Sequence, residues 1–303
     1  MTQTAHEVME NVGALFDVEY IPAGFQDNGF YTRVPGEAGK PMYKWVNRLT
    51  MDNSIPLAIH KGSYPEVDGY KHLADMAEFM FPVSSKECTL FGDGERVLLV
   101  QQLTDPVDLG DGDTIQSNII WVSSLNGTWS TKVYDMTERF FCQNQLIGLP
   151  LISVRHTRNH DSLLSWRVEI LEGAKARANA WTSQAREWKD QKMVDQQFFD
   201  MVSYLMPIPE YDNTNDLVRD RIKMKRNDIL NRWYKERNEY GDGDEGIGDA
   251  WCAYNAFQGA EQHYINAKGR GHNWSRDRAL IKAVDGKTPL ATQAFNYLQV
   301  MSR

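Results

Sequence analysis

From Leu151 to Met206 the chain carries no proline, and this sets what its middle can become. Proline inside a helix removes a backbone donor and clashes with the preceding turn, so its absence leaves long helices open. Leu163, Leu164, Trp166, Val168, Ile170 and Leu171 fall at helical steps within the stretch, and Pro207 and Pro209 close it. Downstream, Thr214-Asn215-Asp216 offers a cap for a helix reaching about Glu239. Helix resumes over Ala250–Lys268, and a last one starts near Pro289. Between them Gly241–Gly248 (GDGDEGIG) reads as a flexible acidic loop.

Ahead of that stretch the pattern is different. Glu95–Leu103 is a β-rich run entered from the turn Gly92-Asp93-Gly94. Asn118–Val122 and Thr128–Val133 flank Asn126-Gly127, a hairpin cue because a type I′ turn needs positive φ at both positions. Leu73, Met76, Ala77 and Met80 make Val67–Met80 an amphipathic helix. The expected class is therefore α+β: a strand-rich N-terminal half with one or two helices, then a mainly helical C-terminal half. The expected organisation is an α+β domain over residues 1–158 and a helical region over 159–303.

Charge is divided unevenly. The net formal charge is −8. Residues 1–154 hold 20 acidic against 10 basic side chains, residues 155–240 hold 14 against 16, and 241–303 hold 7 of each. Nucleic-acid binding needs clustered cations to release counterions, so the second half is where such a surface would lie. No run approaches the roughly 18 apolar residues of a membrane span. Met1–Glu10 lacks a basic start and an apolar stretch, so no signal peptide is expected there. Cys88, Cys142 and Cys252 are odd in number and far apart, which fits reduced thiols, and the expected location is the cytoplasm. The sequons at Asn126 and Asn273 are then chance matches.

Several chemical motifs fail on context. Gly241-x-Gly243-x-x-Gly246 spells a dinucleotide fingerprint, but a helix precedes it and Asp242, Asp244 and Glu245 would repel phosphate. His156 and His160 share a helical spacing without a third metal ligand, which favours structural histidines. Cys142 could act as a nucleophile with His156 as base, yet Phe140-Phe141 beside it suggests a buried thiol. No nucleophile elbow, phosphate loop or His-Glu-x-x-His is present. Asp108, Asp111 and Asp113 are carboxylates that a metal-dependent nuclease could use.

The most basic element is Arg219–Arg237. Here Ile222, Ile229, Leu230 and Trp233 are expected on one side, leaving Arg219, Lys223 and Arg226 as a stripe on another. With Lys225 and Arg232 they could follow a phosphate backbone, Trp233 or Tyr234 stacking on bases; a solvated helix face is the alternative. A second basic candidate is Lys268–Arg278 (KGRGHNWSRDR), with Lys268, Arg270 and Arg276 around Trp274.

Three short motifs carry a family resemblance. In Val133–Leu146 (VYDMTERFFCQNQL), residues Arg139, Cys142, Gln143, Asn144 and Leu146 match a segment reading roughly Pro-Val-Arg-Val-Val-Cys-Gln-Asn-Thr-Leu. Ile152–Thr157 (ISVRHT) is similar to Ile-x-x-Arg-His-Thr through Arg155 and His156, and Ala250–Ala256 (AWCAYNA) to Thr-x-Trp-x-Ala-x-Asn-Ala through Trp251 and Asn255. Together these resemble the uncharacterised phage/plasmid-like protein family, domain of unknown function 932. Tyr64, Leu109-Gly110-Asp111 and Asn126-Gly127 fall in the same order, so the likeness spans nearly the whole chain. Gln145, Asn126 and Ala250 depart from the family's usual Thr, Asp and Gly-Thr.

The resemblance implies a phage, prophage or plasmid setting near replication and recombination functions. On that ground the expected function is single-stranded DNA binding or annealing by a homo-oligomer, without enzymatic activity, metal or other cofactor. The alternative is a phage-encoded protein that inhibits a host factor, its acidic half mimicking DNA. Arg139, Gln143, Asn144, Arg155, His156, Trp251 and Asn255 are expected to meet at one junction, as structural groups or as ligand contacts.

Overall fold

A computed structural model describes residues 3–27, 30–33, 43–51, 53–61, 64, 66–139, 145–154, 167–210, 215–241, 246–262, 281, 284–285 and 289–301. Side chains within 24–33, 145–149, 154 and 167–168 are outside that description. The chain is α+β as expected, with strands dominating the first half and helices the second. Two compact units interleave along it. Unit 1 comprises Met1–Asp105, Ser117–Met136 and Gly148–Ala178; unit 2 comprises Pro106–Gln116, Thr137–Ile147 and Asn179–Arg303. The expected organisation instead cut the chain once, after residue 158.

The first half begins with α1 (Ala5–Asn11), closed by a capping box in which Thr4 and Glu7 satisfy each other's backbone donors. Strands β1 (Val18–Pro22), β4 (Tyr43–Leu49) and β5 (Ser54–Lys61) form an antiparallel sheet in the order β1-β4-β5. The pair β2 (Gly24–Asp27) and β3 (Phe30–Arg33) lies between β1 and β4 in sequence. Helix α2 (Lys71–Met80) buries Leu73, Ala74, Met76, Ala77 and Met80, as the spacing predicts. Its last carbonyls are met by a buried glutamine. Gln101 donates to Ala77 and Phe81 carbonyls and accepts 2.7 Å from Trp121 Nε1, so a polar core residue has its amide paired.

The larger sheet orders β11 (Gln145–Val154), β10 (Thr131–Arg139), β9 (Thr114–Ser124), β7 (Arg96–Gln102) and β6 (Ser85–Phe91), with β8 (Val107–Asp108) paired to β9. The Asn126-Gly127 cue does join neighbouring strands, but not as a type I′ turn. Gly127 has φ 72° whereas Asn126 is not at positive φ. Asn126 Oδ1 instead accepts from the Thr128 backbone and hydroxyl, which tightens a longer connection.

In the second half, α3 (Arg167–Asp190) and α4 (Asp195–Leu205) are separate because β12 (Lys192–Val194) intervenes. β12 pairs antiparallel with β13 (Ile247–Asp249), so the end of the expected flexible loop is strand. Glycine is required there: a Cβ on Gly248 would lie 2.6 Å from Cη2 of the Trp233 ring. Helix α5 (Asp216–Tyr240) starts where the sequence placed its cap, with Asn215 Oδ1 accepting from Leu217. Helix α6 (Ala250–Gln262) buries almost all its residues, and α7 (Pro289–Met301) packs Leu290, Ala291, Ala294 and Leu298 inward. Unit 2 is centred on Trp188, Phe198, Trp233, Trp251, Tyr254 and Phe257. Among the described residues no helix is long and apolar enough to cross a membrane.

Candidate functional site

The best-organised polar cluster lies within unit 2, and its assembly starts in a turn. Between β8 and β9 the run Leu109–Asp113 closes on itself, with Gly110, Asp111 and Gly112 at φ 100°, 55° and 75°. Left-handed backbone is cheap for glycine, and aspartate is among the few side chains that tolerate it. The Gly110 amide donates to Asp108 Oδ1 and the Asp113 amide to the Gly110 carbonyl. Asp113 emerges fully buried.

Arg139, the last residue of β10, meets it edge to edge. Nε donates to Oδ1 at 2.5 Å and Nη2 to Oδ2 at 2.6 Å. This bidentate geometry suits a planar guanidinium. Nη1 donates to Glu236, one turn from the end of α5. The Tyr240 ring lies under the guanidinium at 4.2 Å, and Trp251 Nε1 donates to Asp113 Oδ2 at 2.8 Å. Asn255 Nδ2 donates to the Trp251 carbonyl at 2.9 Å. Lys189 holds the rim, donating to the Tyr240 carbonyl and to Asp111.

Two carboxylates facing one guanidinium leave an excess negative charge among these three side chains. Burial pushes the Glu236 carboxyl up from the usual range, and Arg139 pulls it back only in part. Cys252 beside it is also raised by burial, its amide held at 2.7 Å by Asp249, so this thiol is an inert core group. A cavity of about 10 Å³ adjoins the cluster, lined by Arg139, Trp251, Asn255, Thr137, Gln258 and Trp181, with Ile115. That is room for one water and nothing larger.

The structure thus brings Arg139, Trp251 and Asn255 together around one cavity. Gln143, Asn144, Arg155 and His156, like Cys142 and His160, lie outside the described residues, as do Lys268, Arg270, Trp274 and Arg276. Sequence reasoning missed Glu236 and Tyr240, which sit beside Arg139 only through the fold. It offered Asp113, with Asp108 and Asp111, only as carboxylates available to the less favoured reading, a metal-dependent nuclease. Asp113 is instead occupied by Arg139, Asp111 by Lys189 and Asp108 by its own turn. Among the described residues no group of three His, Cys, Asp or Glu could hold a metal.

On α5 the expected stripe is corrected. Trp233 is 0% exposed, stacked on Phe198 at 4.4 Å and donating to Asp195, so it offers no ring to a base. Arg219 and Arg226 precede Trp233 by 14 and 7 residues, and whole heptads return to nearly the same helix face. They accordingly turn toward the protein: Arg219 is buried and donates to the Pro209 carbonyl, and Arg226 donates to Ser203. Lys223 is exposed with Asp220 3.5 Å away. A separate row holds Arg221 and Lys235, both exposed, with Lys225 and Arg232 half-buried between them.

The family model described as Domain of unknown function (DUF932) matches residues 66–283. The chain belongs to this family. The DUF932 span contains every member of the Asp113–Arg139–Glu236–Trp251 cluster and all of α5. No curated protein and no solved structure matches the chain.

Proposed function

We propose that this DUF932 protein handles phage- or plasmid-type DNA without an enzymatic step, binding single strands through the outward face of α5. The observation that carries this reading is the row Arg221, Lys225, Arg232 and Lys235. These lie at i, i+4, i+11 and i+14, which keeps four cations within one longitudinal stripe of a 25-residue helix. Asp228 falls in the same stripe and pairs with Arg232, and Glu239 reaches Lys235 at 3.9 Å. The exposed Lys235–Glu239 pair contributes little, so a phosphate can displace it, whereas Arg232–Asp228 is half-buried. Tyr234, against Phe199 and Arg237, lies on another side of the helix and adds no ring to this row, so the reading rests on the cations. In this reading the buried Arg139 cluster is the scaffold that fixes the end of α5.

The test is a gel-shift and anisotropy titration with an unstructured single-stranded oligonucleotide and a duplex, at low and raised salt. Affinity is expected to fall steeply with salt, and Arg221→Glu/Lys225→Glu/Lys235→Glu to lower both affinity and the salt slope. Each lost phosphate contact should reduce that slope by about 0.7 for single strands. Wild-type affinity in the triple variant sinks the assignment of α5. No retention of any DNA at low salt, with capture of one host protein, favours the inhibitor of a host factor instead.

A further inference from the structure

The outward face of the β1-β4-β5 sheet in unit 1 is apolar, where the solvated face of an antiparallel sheet is ordinarily polar. Strand register aligns Ile21, Trp45 and Ile59 in one row across all three strands. Tyr43 lies two residues from Trp45 on the same side, opposite Lys61. Beneath them Lys44, Val46, Leu57 and His60 are buried, while Tyr43, Trp45 and Ile59 remain 43%, 38% and 51% exposed.

Two charges belong to this face, Glu19 on β1 and Lys61 on β5, both exposed. Neither enters an ion pair with another described residue. Glu19 pairs in register with Asn47 toward one end of the sheet, and Lys61 with Tyr43 toward the other. The two therefore occupy diagonal corners of a rectangle of roughly 10 by 13 Å centred on Trp45.

We propose that this face docks on the same face of a second copy of the chain. A two-fold axis lying in the interface, at about 45° to the strands, exchanges the charged corners. Glu19 then meets the partner's Lys61 and Lys61 the partner's Glu19, while Trp45 lies on the partner's Trp45 and Ile21 near the partner's Tyr43. The operation turns the strands by about 90°, one of the two ways sheets pack face to face. Neighbouring strands are about 4.8 Å apart and two residues along a strand about 6.7 Å, so the exchanged corners miss by roughly 3 Å, within reach of a lysine stem. One cation against one anion gives a phosphate backbone no advantage here, whereas a second copy satisfies both charges. The face measures roughly 14 by 23 Å, small beside the interface of a permanent dimer, so association is reversible and concentration-dependent.

Sedimentation or light scattering of the full chain across a concentration series tests this. The mass should rise toward that of two chains, with the midpoint moved at least about tenfold higher in concentration by Trp45→Ser. Glu19→Lys and Lys61→Glu should each weaken association several-fold by opposing like charges, and the double swap should restore it. All three positions are surface sites, and unchanged circular-dichroism melting establishes that each variant is folded. A wild type that stays monomeric overturns the proposal. So does a dimer indifferent to Trp45→Ser and to the charge swap. Loss of single-strand affinity in Trp45→Ser without any change in mass overturns it in favour of a base-stacking surface.

Discussion

Arg139 is the residue on which the most buried charge depends. It satisfies Asp113 through two donors and Glu236 through a third, and both carboxylates are cut off from water. Removing one partner of a buried ion pair leaves the other uncompensated, at a cost of about 3–5 kcal/mol. Arg139→Met is therefore expected to lower unfolding free energy by about that amount in urea titration. Arg139→Lys should recover only part of the loss, since a compact ammonium cannot meet Asp113 at both oxygens. A loss under about 1 kcal/mol for Arg139→Met would mean that the cluster relaxes or hydrates.

At the element scale, the β12–β13 pair and α5 interlock through one missing side chain. Trp233 fills the space above Gly248, so Gly248→Ala must push the indole or shift β13. Overpacking of this kind costs about 1–3 kcal/mol, read as a lowered melting temperature. Neutral behaviour would show that the ring can slide. At the other end of α5, Asn215→Ala removes the side-chain acceptor for Leu217 and should cost about 1 kcal/mol. Because Arg219, Arg226 and Trp233 share one face, neither change should alter the outward cation row. Single-strand binding of folded Asn215→Ala is expected to match wild type.

For the whole molecule, pH dependence follows from buried carboxyls. Burial raises Glu236, Asp249 and Asp135 above their ordinary values, outweighing the cations and amides nearby. A raised carboxyl binds its proton more tightly in the folded state. Its stabilisation is complete below the unfolded value, near 4, and is lost as pH rises through the raised folded value. Glu78 runs the other way: burial raises it, but contacts from His6 and Thr4 together outweigh that and lower it, and that contribution is lost as pH falls. Stability is thus expected to decline from mildly acidic toward neutral pH more than exposed carboxylates would allow. Glu236→Gln should flatten the decline in urea midpoints as pH rises above the ordinary carboxylate range. An unchanged slope would remove Glu236 as a source.

The sequence by itself determined the α+β class, the helix starts at Asn215 and near Pro289, the amphipathic α2 and the family. Each is written in local terms: periodicity of 2 or 3.6, a capping side chain, or an ordered set of short motifs. Glu95–Leu103 became β7, and Asn215, within the expected capping run, caps α5. Only the tertiary structure decided which charges face water. Arg219 and Lys235 are both cations on one helix, yet Arg219 is buried because it shares Trp233's face, while Lys235 is exposed. It also decided that Asp113 serves Arg139 and not a metal, since residues 113, 139, 236 and 251 meet through long-range packing that no spacing records. β12 and β13 were illegible for the same reason. Three residues form a strand only when a partner more than fifty positions away supplies the hydrogen bonds.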